Sequence, residues 1–207
     1  MSPTIRKAAA GAAAVLIAAL IAGKYVMLLE PAVAREKRAA CRGLRPSPTN
    51  KALLTGEFTS FPRPAPDLMV QDYTGQMRKL SEYKGQVVFL NFWATWCPPC
   101  IDEVPAIENL QREFNDEDFV VVALASSNDW NEVRSFFPDG TNMTIMLDPP
   151  ANDEDRLGTI AKSWGVPALP ETFLIDKDGF VRYYFANKRD WHSDVALTCV
   201  RSLIEEE

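Results

Sequence analysis

Residues 86–100 read QVVFLNFWATWCPPC, and this stretch decides the fold. Its first part, Gln86 to Trp93, is a nearly continuous apolar run, which predicts a strand buried on both faces of a sheet. Apolar residues recur at helical spacing in Glu103 to Phe114 and predict a helix. The two cysteines of the Cys-x-x-Cys motif, Cys97 and Cys100, therefore lie where a strand passes into a helix.

Strands and helices alternate along the rest of the chain, and they end in a hairpin and a helix. This order predicts an α/β sandwich: a central mixed sheet flanked by helices, with an N-terminal β-hairpin extension. The predicted elements are a hairpin of Leu68 to Asp72 and Met77 to Lys79, a strand Phe119 to Ala125, a helix Asn131 to Phe137, a strand Thr144 to Leu147, a helix Leu157 to Trp164, a hairpin of Thr172 to Ile175 and Phe180 to Phe185, and a helix Asp194 to Ile204.

The composition suits one globular domain with an appendage. The chain has 207 residues, 47% of them hydrophobic, and a net charge of -6. Residues 1–50 are basic, so the remainder is strongly acidic and offers no basic surface for nucleic acid. We expect no cofactor, because the chain has neither a glycine-rich phosphate loop nor a Cys-x-x-Cys-His sequence.

The N-terminus carries an apolar run, Ala8 to Leu29, interrupted at Gly23 and Lys24. If that lysine snorkels, the run is long enough for a membrane-spanning helix. The alternative is a signal peptide cleaved after Ala32-Val33-Ala34, which has the small-x-small pattern. We therefore predict an anchor or signal segment over 1–34, a charged and then proline-rich linker over 35–59, and a folded domain over 60–207.

The Cys-x-x-Cys pair has three interpretations: half of a zinc site, a structural disulfide or a redox dithiol. Zinc needs further ligands, and Cys41, Cys199 and His192 lack the spacing of a second pair, so we predict no metal. A disulfide across so short a loop stabilises a fold little. At the start of a helix, Cys97 would be activated as the nucleophile, and Cys100 would resolve the mixed disulfide.

The remaining cysteines and the only histidine carry no predicted chemistry. Cys199 is expected to be a small buried residue of the last helix, and Cys41 an exposed residue of the linker. A bridge between these two cysteines, or an intermolecular one, stays open as an alternative. His192 precedes a helix and is interpreted as a surface or capping residue.

The segment Asn91 to Cys100 resembles the active site of thioredoxin-like proteins of the TlpA/ResA group. The similarity extends from Ala65-Pro66-Asp67 to the C-terminal helix, and Gly165 to Asp176 is similar to the cis-proline loop of that group. The resemblance implies a thioredoxin-like fold. It also implies a thiol–disulfide oxidoreductase that is exported and usually membrane-anchored in bacteria.

The resemblance also assigns residues to the site. It implies a cis bond at Leu169–Pro170, with an ordinary trans proline as the alternative. Glu103 and Glu171 match glutamates of the group, and each could instead be a solvated surface acid. Asn91 replaces the buried aspartate of cytoplasmic thioredoxins, which removes one candidate proton acceptor. Glu103 could take the proton from Cys100 or raise the pKa of that thiol. The residues expected to support client binding are Trp96, Pro98, Pro99, Leu169, Pro170, Glu171 and Asn91.

Two prolines indicate the direction of the reaction. Pro98 and Pro99 lack the backbone N–H groups that would stabilise a Cys97 thiolate. A less stabilised reduced state means a lower potential, and hence a reductant.

The predicted function is a reductase of protein disulfides outside the cytoplasm, with apocytochrome c thiols as the clients that the family implies and a membrane electron donor. The predicted location is the bacterial inner membrane with the domain in the periplasm, or secretion after signal cleavage; basic residues flanking the apolar run argue against this orientation. Two alternatives stay open. One is a non-catalytic thioredoxin-like binding module, and the other is a peroxiredoxin-type peroxidase, which Ala94 disfavours because it stands where that family has threonine.

Overall fold

The chain divides into two compact units, Met1–Ala39 and Ala40–Glu207. In the first unit, residues 18–21, 23–24 and 39 are helical. The strands and longer helices described below belong to the second unit. The computed structural model describes residues 18–21, 23–24, 39–44, 61–152 and 154–206.

The predicted membrane segment, Ala8 to Leu29, falls mostly outside the described residues, as does the predicted cleavage site. Within the part of the chain that the structure describes, no helix is long and apolar enough to cross a bilayer. This finding contradicts the predicted location in the bacterial inner membrane.

The central strand lies where the apolar run predicts it. The described strands are β1 (Arg63–Pro64), β2 (Met69–Gln71), β3 (Met77–Lys79), β4 (Val87–Trp93), β5 (Phe119–Ala125), β6 (Thr144–Leu147), β7 (Glu171–Ile175) and β8 (Phe180–Ala186). Six of them form one sheet in the order β1-β8-β7-β4-β5-β6. β4 pairs parallel with β5 and antiparallel with β7, and every residue of β4 is buried. The predicted mixed sheet is confirmed.

Helices cover both faces of this sheet, which explains why the sequence of β4 is almost entirely apolar. The helices are α1 (Pro98–Glu113), α2 (Trp130–Phe136), α3 (Thr159–Ser163) and α4 (Asp194–Ile204). One apolar cluster joins Phe89 and Trp93 of β4 to α1 and α4, and it includes both cysteines of the motif. A second cluster, on the other face, joins Leu90 and Phe92 to α3 and to the β2–β3 hairpin. We call these the cysteine-side cluster and the hairpin-side cluster.

Two helices begin two or more residues away from their predicted starts. α1 begins at Pro98, five residues before the predicted start, because proline is tolerated in the first helical turn, where its missing N–H has no partner. α3 begins at Thr159, where buried Asp148 accepts hydrogen bonds from the Ile160 and Ala161 amides. A side chain at Gly158 would lie 2.1 Å from Asp148, so glycine is required before this helix.

A disulfide between Cys41 and Cys199 ties residues 40–44 to α4. We call residues 40–44 the N-terminal strap. Both cysteines are fully buried, and Ala40 and Leu44 pack against the cysteine-side cluster. The prediction that Cys41 is exposed is therefore wrong, because the bridge holds it against α4. Of the two bridges that the sequence analysis kept as alternatives, the intramolecular one is present.

Candidate active site

The Cys-x-x-Cys motif lies at the N-terminus of α1, at the end of the loop that follows β4. Cys97 is the N-cap of the helix, and Cys100 lies in its first turn. The two form a disulfide with a sequence separation of 3, and the exposed fractions of Cys97 and Cys100 are only 4% and 1%. The Cys97 sulfur can therefore be reached only from the surface formed by its neighbours.

The first backbone amides of α1 offer little to the Cys97 sulfur. Pro98 and Pro99 occupy the first two helical positions and have no N–H. The next two amides, of Cys100 and Ile101, donate to the Cys97 carbonyl at 3.0 and 3.1 Å. Of the groups at a helix start that commonly stabilise a thiolate, only the helix dipole therefore acts on the Cys97 sulfur.

The surface around the disulfide is formed by Trp96, Pro98 and Pro99, which are exposed. The Trp96 indole Nε1 donates to the Ser126 carbonyl at 3.0 Å, so the ring is fixed to the loop after β5. Arg156 lies over the Trp96 ring, 4.2 Å from its centroid. Arg156 was not predicted as a site residue, because nothing in its sequence context relates it to Trp96.

The Leu169–Pro170 bond is cis, as the family resemblance implies. It directly precedes β7, whose first residue pairs with Phe92 near the end of β4. Leu169 packs against the cysteine-side cluster, and the Pro170 carbonyl accepts from the Asn187 amide at 3.0 Å. This loop therefore lies at the same end of the sheet as the disulfide.

Asn91 is buried on β4, on the face that carries the cysteine-side cluster. Its side-chain amide donates to the Thr172 hydroxyl on β7 at 3.0 Å. An amide does not titrate, so this position cannot accept a proton from a thiol.

Glu103 is the buried acid on the cysteine side. It lies three residues after Cys100 on α1, hence on the same helix face, and only 1% of it is exposed. Its Oε1 accepts a hydrogen bond from the indole of buried Trp191. Burial raises the pKa of Glu103 to about 8, although Trp191 and the charges of Arg189 and Lys188 act to lower it. The interpretation of Glu103 as a solvated surface acid is wrong.

Glu171 is also buried, but it points to the other face of the sheet. It lies two residues before Phe173 on β7 and therefore on the same face of the strand, and Phe173 belongs to the hairpin-side cluster. It accepts a hydrogen bond from the Tyr184 hydroxyl, and burial raises its pKa to about 8. The structure therefore brings Glu103 to the face of the cysteines and directs Glu171 away from it.

No group of three or more histidine, cysteine, aspartate or glutamate side chains among the described residues could hold a metal ion. His192 is exposed before α4, and its backbone amide donates to Asp190.

The Glu103 carboxyl makes stability depend on pH. Its pKa is about 8 in the folded protein against an ordinary 4.5, so the folded state binds the proton more tightly than the unfolded chain. The resulting stabilisation is fully present below about pH 4.5 and is lost as pH rises towards 8. From about pH 5.5 to 8.5, we expect this carboxyl to lower the free energy of unfolding by on the order of 3 kcal/mol.

Urea unfolding of the oxidised protein at these two pH values measures the loss. Glu103→Gln should remove the part of the pH dependence that is due to Glu103. Glu171→Gln should remove a separate part of similar size, since the pKa of Glu171 is also raised. An equal pH dependence in wild type and in Glu103→Gln would contradict the raised pKa.

A Cys-x-x-Cys disulfide at the start of a helix, beside a cis-proline and on a mixed sheet, defines the class of thioredoxin-like proteins. Within this class, the chain belongs to the Redoxin family, whose sequence profile matches residues 63–198.

Curated relatives support the predicted resemblance. The chain is 38% identical over 117 residues to the thiol-disulfide oxidoreductase ResA of Bacillus thuringiensis subsp. konkukian, a match that covers 56% of this chain and 64% of the relative. It is 36% identical over 118 residues to ResA of Bacillus subtilis, covering 56% and 62%. The chain thus matches less than two thirds of the length of these relatives. Its resemblance to the TlpA/ResA group is confirmed.

Solved structures confirm the thioredoxin-like fold. A crystal structure assigned as the thiol:disulfide interchange protein DsbE of Chlorobium tepidum superposes with a TM-score of 0.61 at 27% identity, covering 70% of this chain and 98% of that one. The exposed lipoprotein thioredoxin Etrx1 of Streptococcus pneumoniae, at 24% identity, gives a TM-score of 0.53 over 67% of this chain and all of its own. The latter likeness concerns the fold alone.

Proposed function

We propose that this protein is a thiol–disulfide oxidoreductase that reduces disulfides in other proteins. The observation that carries the proposal is the Cys97–Cys100 disulfide at the start of α1, with a buried acid one turn along the same helix face. The relatives named as thiol-disulfide oxidoreductases support the same chemistry.

In the proposed reaction, the reduced protein transfers two electrons to its client. The Cys97 thiolate attacks one sulfur of the client disulfide, which forms a mixed disulfide and releases the first client thiolate. The Cys100 thiol then loses its proton to Glu103 and attacks the Cys97 sulfur. The Cys97–Cys100 disulfide forms, the bond to the client breaks and the second client sulfur leaves as a thiolate. An external dithiol donor must then reduce the protein again.

Glu103 is the proposed proton acceptor because it is the buried carboxyl on the cysteine side. A pKa of about 8 lies close to the ordinary value of a thiol, so the transfer of a proton between the two groups costs little free energy. Asn91 cannot substitute for it.

The reducing direction is supported by the backbone at the start of α1. Two amides are absent at Pro98 and Pro99, and the next two donate to a carbonyl and not to the Cys97 sulfur. Few groups therefore stabilise the reduced thiolate state, which lowers the reduction potential.

The proposed clients are proteins with a disulfide that can reach the surface formed by Trp96, Pro98 and Pro99. Apocytochrome c thiols are the client that the family resemblance implies. The prediction that a membrane relay donates the electrons stays a prediction.

The reduction potential of Cys97–Cys100 tests the direction. The full-length protein is equilibrated in dithiothreitol or glutathione buffers, and thiol alkylation with mass spectrometry follows each cysteine. We expect a value near or below that of thioredoxin, about -270 mV. A Cys97→Ser/Cys100→Ser control reports any signal from the buried Cys41–Cys199 bridge. A value near -120 mV would make the protein an oxidant, and a pair that never cycles would favour the binding module.

A further inference from the structure

The loop 187–191, between β8 and α4, contacts α1 beside Glu103. Trp191 donates to Glu103, and Lys188 forms an ion pair with Asp102 at 3.0 Å. Between these two contacts, the Arg189 side chain turns towards the N-terminal strap. Its Nε donates to the Leu44 carbonyl at 2.7 Å. Arg189 is thus held between the buried acid and the strap.

Two complementary atoms in this region are buried without a partner. Arg189 Nη1 donates to the carbonyls of Asn187 and Lys188, but the buried Nη2 has no hydrogen-bond partner among the described residues. In the same way, Oε2 of Glu103 is buried and unpartnered within the described part of the chain. One atom is a cationic donor and the other a carboxyl oxygen, and the positive charge of Arg189 acts to lower the pKa of Glu103.

We propose that Arg189 is the counter-ion of Glu103 in its deprotonated state, and that the Cys41–Cys199 disulfide holds Arg189 in place through the Leu44 carbonyl. Arg189 acts here as a positioning residue, since it acts on the cysteines only through Glu103.

The physical reason is the cost of a buried carboxylate. An unpaired charge in the interior is strongly unfavourable, so Glu103 can release its proton only where a cation compensates it. Among the described residues, the charges that act on Glu103 are those of Arg189 and Lys188 from the loop. Asp102, its neighbour in sequence on α1, pairs with Lys188. Lys188 is exposed and already paired with Asp102, which leaves Arg189 as the half-buried cation.

The strap explains why Arg189 stays at this position. Leu44 ends the strap, its amide donates to the Ala40 carbonyl at 3.2 Å, and Cys41 between them is bonded to α4. Breaking the bridge would free the strap, and with it the Leu44 carbonyl that fixes the guanidinium.

Direct titration of Glu103 in the oxidised full-length protein tests the proposal. Infrared difference spectroscopy follows the carboxyl band of the protonated acid from acid to alkaline pH. Glu103→Gln and Glu171→Gln identify the two bands, and near-ultraviolet circular dichroism checks that each variant is folded. Arg189→Gln should raise the pKa of Glu103 by about one unit. Arg189→Lys, which keeps the charge, should retain most of the wild-type value.

The matched control is Arg182→Gln, since Arg182 is a partly buried arginine at the other end of β8, where it pairs with Asp176. We expect no shift of the Glu103 titration in this variant. Cys41→Ala/Cys199→Ala should shift it in the same direction as Arg189→Gln. If the pKa of Glu103 is unchanged in Arg189→Gln, Arg189 is not its counter-ion. If that pKa is unchanged in Cys41→Ala/Cys199→Ala, the strap does not hold Arg189 in place.

The proton-transfer role of Glu103 rests on the proposed function, whereas this titration needs no turnover. If the pair Cys97–Cys100 proves inactive while the Glu103 titration shifts as expected, the proposed function fails and the assignment of Arg189 stands.

Discussion

The Cys97→Ser variant is expected to reduce protein disulfides no faster than the reductant alone. A serine hydroxyl cannot become the thiolate that attacks a disulfide, and it cannot form a disulfide with Cys100. Insulin reduction in dithiothreitol measures the rate, with a reaction without protein as the background. Turnover by Cys97→Ser well above this background would remove Cys97 as the nucleophile.

Cys100→Ser should behave differently, because the nucleophile remains and only the resolving thiol is lost. We expect the mixed disulfide between Cys97 and the client to accumulate, and non-reducing electrophoresis with mass spectrometry can detect it. His192→Ala is the matched control, since His192 is the only histidine and lies outside the candidate site. It should retain the wild-type rate.

Removal of the second disulfide, by Cys41→Ala/Cys199→Ala, is expected to lower the free energy of unfolding by about 4 kcal/mol. The bridge spans 158 residues, so it restricts the unfolded chain strongly. It also fixes the N-terminal strap on the cysteine-side cluster, and both its sulfur atoms are fully buried.

Equilibrium urea unfolding without reductant measures this loss. The matched control is Cys97→Ser/Cys100→Ser, which also removes one disulfide but one with a sequence separation of only 3. It should cost much less, because closing a short loop restricts the unfolded chain little. Equal losses in the two variants would show that the long bridge contributes no more than the short one.

The sequence predicted the fold well where local patterns are strong. The nearly continuous apolar run of β4 and the helical spacing in α1 and α4 are patterns within single elements, so they can be recognised without knowledge of distant contacts. The Cys-x-x-Cys motif located the site because its position between strand and helix is a local property. The cis bond at Pro170 could not be obtained from local pattern, and it was predicted only by family resemblance.

The electrostatic part of the site depends on contacts that no local pattern encodes. Glu103 accepts from Trp191, 88 residues further along the chain, and Glu171 pairs with Tyr184 on a neighbouring strand. The sequence could therefore identify these acids as candidates but could not distinguish a buried acid from a solvated one. Cys41 was misplaced for the same reason, since its burial depends on a partner in the last helix.

The bridge between Cys41 and Cys199 constrains how the chain can be made. Domains fold as the chain emerges, with the N-terminal part first. Cys41 emerges before the other three cysteines, and its partner emerges last, after both cysteines of the motif. Between the emergence of Cys100 and that of Cys199, the only thiols of the same chain that Cys41 can meet are those of Cys97 and Cys100. Correct pairing is therefore direct if oxidation is delayed until the final helix has been translated or if the motif closes first, and otherwise it needs a later disulfide exchange.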